Sequence, residues 1–175
     1  MKKSVLLLSA ILFTFSMQGQ IQTPASSPSA HMEQMVGLTD VTIEYSRPSM
    51  KGRTVFGNLV PFGKIWRTGA NANTTISFST DVTVDGQKLN KGTYAIYTKP
   101  EKDSWEVYFY SETDNGGLPQ KWDDSKVVAK ISAKVYPMSM SVESFTISLD
   151  DLTSESAVLG ILWEKTYVGV KFEVP

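Results

Sequence analysis

The sequence has no cysteine, one histidine and no apolar run of membrane-spanning length. Without cysteine there is no disulfide, no thiolate nucleophile and no thiolate metal site, so a hydrophobic core alone must hold the fold. The single histidine, His31, follows the segment Gln20–Ala30, which carries Pro24, Pro28 and four Ser or Thr and reads as a loose tail over residues 20–33. Ser-His-Asp chemistry needs an imidazole positioned in a pocket, and zinc sites draw on several Cys and His ligands. Neither requirement is met, and no phosphate-binding glycine motif precedes a helix. No cofactor or metal is implied. The longest apolar block, Val5 to Phe15, falls short of the roughly 20 residues that a membrane helix needs. The net charge of −1 excludes a general attraction for nucleic acid.

That apolar block follows Met1-Lys2-Lys3 and precedes Gly19, the pattern of a secretory signal peptide over residues 1–19. Its removal takes two of the 17 cations, leaving 15 against 18 acids. The expected location is the periplasm or the cell exterior. The rest of the chain is the length of one domain, expected over residues 34–175.

Strand signals fill that domain. Val41-Thr42-Ile43-Glu44-Tyr45 alternates apolar and polar residues, as do Thr74–Ser79, Ser104–Tyr110, Val127–Tyr136 and Val142–Leu149. Asp85-Gly86 marks a hairpin between Val82–Val84 and Gln87–Leu89. Thr93–Thr98 is a strand stopped by Pro100, and Leu159–Trp163 and Val168–Val174 are the last two. Gln120–Asp124 has room for one helical turn. No segment carries three turns of helical periodicity, so the fold class is all-β: one antiparallel β-sandwich, jelly-roll or immunoglobulin-like, with one long irregular connection.

The irregular connection, Tyr45–Thr75, holds Arg47, Lys51, Arg53, Lys64 and Arg67, with no acid between Glu44 and Asp81. Two roles are open for it. Arg47, Arg53 and Arg67 converge on an anion in one pocket, with Lys51 and Asn71 beside them, or they donate to backbone carbonyls that an irregular segment leaves without partners. Glu44, Glu143 and Glu164 are available to pair with these cations. Trp105, Phe145 and Trp163 fall in phase with apolar neighbours and read as core. Tyr108 and Tyr110 fall on the other face of their strand, where aromatics either stack on a sugar ring or apolar ligand or are covered by a loop. A pair of carboxylates for glycoside hydrolysis, from Glu44, Glu106, Glu143 or Glu164, is a further reading. Glu112, Asp114 and Asn115 resemble the start of a calcium loop, but Gly116 breaks its alternation, leaving turn acids.

The segments YSRPSMKGRTVFG, LVPFGKIWRTGAN, LNKGTYAIYTKP and LWEKTYVGVKF resemble the domain of unknown function 2911 family, from about Gln34 to Pro175. The resemblance implies an exported or envelope protein and assigns no catalytic or binding residue. Three functions follow as expectations: a non-enzymatic binding module for a small anion or glycan, a carboxylate-dependent carbohydrate-active enzyme, or a structural or assembly protein of the envelope.

Overall fold

Alternation along the chain becomes burial on one face. In Thr39–Ser46 the side chains of Val41, Ile43 and Tyr45 are buried, whereas Asp40 and Glu44 face solvent. The computed structural model describes residues 23–175; the expected signal peptide lies outside the described residues. Nine strands run in the order β1 (Ser29–Val36), β2 (Thr39–Ser46), β3 (Thr75–Phe78), β4 (Val82–Val84), β5 (Gln87–Leu89), β6 (Gly92–Pro100), β7 (Ser104–Tyr110), β8 (Val127–Asp150) and β9 (Ser156–Glu173). They form a single antiparallel sheet, β1-β2-β3-β6-β7-β8-β9-β4-β5. Among the described residues there is no α-helix. A 3₁₀ turn sits at Asp124–Lys126 rather than at Gln120–Asp124, because the Asp123 carboxylate accepts from the Ser125 N–H and fixes its start.

The sheet becomes sandwich-like because β8 belongs to both layers. Residues from Val127 to Lys134 pair with β7, and those from Val135 to Asp150 pair with β9. Core side chains from the two layers then meet: Phe78 of β3 lies 5.4 Å from Phe172 of β9, and Tyr45 of β2 lies 5.8 Å from Phe145 of β8. Strands consecutive in sequence are neighbours from β6 to β9, so this half is a meander. The Asp85-Gly86 hairpin forms as expected, with both residues at positive φ.

Three elements differ from the sequence reading. β1 begins at Ser29, inside the expected tail, and pairs with β2 along its whole length. It buries only Val36 fully, so its composition carries little strand signal. The segments Val127–Tyr136 and Val142–Leu149 are one strand, as are Leu159–Trp163 and Val168–Val174. The pairing between β8 and β9 shifts register between Pro137 and Val142 and again between Val142 and Thr146, and Glu164 turns to φ +55. These irregularities absorb extra residues without ending the strands.

Candidate functional site

The connection between β2 and β3 lies across one end of the sandwich as a plug. Its backbone bonds to the backbone of two strands, β8 and β6. Met50 N–H donates to Glu143 O and Phe145 N–H to Pro48 O of the plug, while Trp66 and Thr98 exchange both of their backbone bonds. Lys51 and Gly52, both at positive φ, form the turn closed by Arg53 N–H to Met50 O. Because the segment satisfies its polar backbone this way, it can carry Val55, Val60, Phe56 and Trp66 inward. Phe56 reaches Trp105 at 4.8 Å, and Trp66 stacks on Trp163 at 5.8 Å with ring planes 20° apart.

Trp66-Arg67-Thr68-Gly69-Ala70-Asn71 forms the tightest part of the plug. Thr68, Gly69 and Asn71 all have positive φ, and for β-branched Thr68 that is a strained conformation. The strain is held by bonds on every side. The Trp66 indole N–H donates to Gly69 O, Thr68 Oγ1 donates to Thr98 Oγ1, Thr74 Oγ1 donates to Thr68 O, and Arg67 Nη1 donates to Asn71 O. Asn71 Nδ2 donates to Ser27 O and Ser46 Oγ, tying the turn to the chain before β1.

Beside this turn opens a cavity of about 410 Å³. Trp66 and Trp163 line it, with Pro48, Leu59, Val60, Pro61, Ile65, Ala70 and, from the β7–β8 loop, Leu118. The polar contribution is Lys64, Arg67 and Asn71; no acid lines it. Among the described residues neither Lys64 nor Arg67 has a carboxylate partner, and Lys64 is exposed. The cavity therefore pairs an apolar wall with positive potential.

The three arginines do not converge. Arg47 Nε donates to Phe145 O and its Nη2 to Thr146 Oγ1. Arg53 donates to Met50 O and Ser49 O. Only Arg67 reaches the cavity. Carbonyl satisfaction thus accounts for Arg47 and Arg53, as the irregular segment requires. Lys51 contributes its backbone N–H, which donates to Glu143 Oε1, and Val55 N–H donates to Glu164 Oε2. These two acids anchor the plug's backbone rather than its cationic side chains. Lys64 belonged to the cationic run but had nothing in sequence to set it apart. Leu118 comes from a loop 47 positions after Asn71, which no local pattern connects to the plug.

Tyr108 and Tyr110 are buried away from solvent, packed with Ala95 and Tyr97 beneath Trp122. The Trp122 ring lies 5.2 Å from Tyr108 and 4.8 Å from Tyr110. The β7–β8 loop covers this face, so neither tyrosine presents a stacking surface. The Tyr108 hydroxyl donates to Glu106, which also pairs with Lys130 and with Lys99 at 3.3 Å. Lys130 first, then Tyr108, holds the Glu106 carboxyl down from the usual range to about 2. Folding thus favours the ionised form, and its stabilisation is complete above the ordinary carboxylate pKa and is lost as the pH falls through about 2. Glu106→Gln is expected to cost up to about 1 kcal/mol at pH 7, since the group is partly exposed. Urea melts of both proteins should show that difference shrinking steadily from pH 4.5 to pH 2.

His31 lies on β1 with Nε2 3.2 Å from Glu33 and Nδ1 3.3 Å from Glu44. Hydrogen bonds to these acids, Glu33 first, raise its pKa. Both ring nitrogens face carboxylates, so neither is placed to take a proton from a serine. The four acids considered for glycoside hydrolysis are engaged elsewhere: Glu44 with His31, Glu106 with two lysines, Glu143 and Glu164 with the plug. No metal-binding group of three or more His, Asp or Glu exists among the described residues.

Residues 27–172 match the sequence profile of the family described as "Protein of unknown function (DUF2911)". No curated protein and no solved structure matches the chain.

Proposed function

The chain belongs to the DUF2911 family, a description that carries no chemistry, and we propose from the cavity itself that it is an exported binding module for a small anion. The observation that carries this reading is the cavity lining, in which Lys64 and Arg67 stand without any acid. Unopposed cations in a concave, largely apolar site raise the local concentration of anions and strengthen each contact made there. A glycan fits less well, because a sugar presents many hydroxyls and the lining offers few polar partners. The enzymatic reading lacks its pair of facing carboxylates at this cavity. Export is supported by the basic start and apolar block at the N-terminus.

Thermal melts of the protein with acetate, benzoate and inorganic phosphate test the reading. A ligand at 100 times its Kd should add about 2.7 kcal/mol of stability. Lys64→Glu alters an exposed side chain with no described partner, so the free variant should melt within about 0.5 kcal/mol of the wild type. It should also lose the response to anions. A wild type indifferent to every anion, or a variant responding as the wild type does, would refute the proposal.

A further inference from the structure

We propose that the ligand is an amphipathic monocarboxylate: one carboxylate on an apolar alkyl or aryl body of about a dozen non-hydrogen atoms. The inference rests on the anion-binding reading and adds the chemistry of the ligand.

The charged groups at the cavity are few. Arg67 has already committed Nη1 to the Asn71 carbonyl at 2.9 Å, and Lys64 is a single ammonium. Lys64 and Arg67 are the only charged groups in a mostly apolar lining, so they suit a ligand whose charge and oxygens are gathered at one end, as in a carboxylate. A phosphate carries its charge on oxygens that point in several directions, and those turned toward the apolar wall would be desolvated, which is costly.

The rest of the cavity asks for apolar surface. Leu59 and Leu118, at positions 59 positions apart in the chain, line the same cavity, and each stays 39% exposed. Large aliphatic side chains left open in a concave site mark a place that an apolar ligand would cover. The stacked Trp66 and Trp163 add flat aromatic wall. The volume of about 410 Å³ sets the size. At roughly 30 Å³ per water-sized group, it holds about fourteen such groups when full.

Calorimetric titration with straight-chain carboxylates from acetate to dodecanoate, and with 1-octanol and inorganic phosphate, tests the inference. Affinity should rise about fourfold with each added CH₂, the ratio that corresponds to about 0.8 kcal/mol per buried methylene. The rise should stop near ten to twelve carbons, when the cavity is full. Octanol should bind at least tenfold more weakly than octanoate, and Lys64→Gln should weaken octanoate but not octanol. Leu118→Asp, a change at an exposed position, should flatten the dependence on chain length. Acetate or phosphate binding as tightly as octanoate would overturn the amphipathic ligand while leaving the anion-binding reading intact. Octanol binding as tightly as octanoate would overturn the carboxylate. Failure of every anion to bind would overturn both readings.

Discussion

Trp163→Ala is expected to lower the free energy of unfolding by about 3–5 kcal/mol. The side chain is 2% exposed and lies where β9, β8 and the plug meet. Its ring lies 5.8 Å from both Trp66 and Phe145 and 6.3 Å from Phe56. Its indole N–H donates to Glu143 O at 3.1 Å. Truncation would open a void among three aromatic residues and remove one of the two donors to Glu143 O, which keeps Met50 N–H, so most of the cost is the void. A typical domain has only about 5–15 kcal/mol in total, so the urea midpoint should fall sharply. Trp163→Phe keeps a ring and loses only the N–H and part of the volume, and should cost less than half as much. A loss under about 1 kcal/mol for the alanine variant would contradict the packing described.

The second large effect concerns the site. Gly117 has φ +111, and a Cβ built there would strike the Asn71 carbonyl oxygen and come within 2.8 Å of Arg67 Nη1. The Asn71 carbonyl is backbone in a turn that is itself strained and cannot give way easily, and the Arg67 guanidinium can move only by leaving its bond to that carbonyl. Gly117→Ala should therefore lift the β7–β8 loop from the turn and carry Leu118 away from the cavity. We expect octanoate affinity to fall at least tenfold, with a stability loss of about 1–3 kcal/mol. Gly116→Ala is the control: its φ is +72 but nothing lies within 4 Å of the new Cβ. It should lose some stability and keep most of its affinity. Equal behaviour of the two variants would show that the loop does not form the cavity wall.

Much of the fold was legible in sequence because half-buried strands alternate in period two, as in β2 and the first part of β8, and because Asp85-Gly86 suits only a tight turn. Strand ends were harder. At Glu164 the chain adopts a positive φ that an acidic residue seldom takes, and β9 continues where polar residues suggested a connection. Tyr108 and Tyr110 show a different limit. Their strand alternates correctly, but the second face is also buried, and the cover comes from Trp122 in a loop with no periodicity. The site was legible only as a cationic run. Charge along the chain revealed Arg67 but could not separate it from Arg47 and Arg53, because each arginine's role depends on which carbonyls lie near it in the fold. The wall at Leu118 depends on a contact distant in sequence, which one chain's pattern does not encode.

The most direct test of the cavity as a ligand site is an NMR titration of the four tryptophan indole N–H signals with octanoate. Trp66 and Trp163 line the cavity, whereas Trp122 packs over the tyrosines on the other face of β7. The account predicts saturable shifts in the Trp66 and Trp163 signals, with the backbone amides of Arg67, Gly69 and Gly117 moving in step and Trp122 unmoved. Shifts centred on Trp122, or no shift at saturating octanoate, would contradict it.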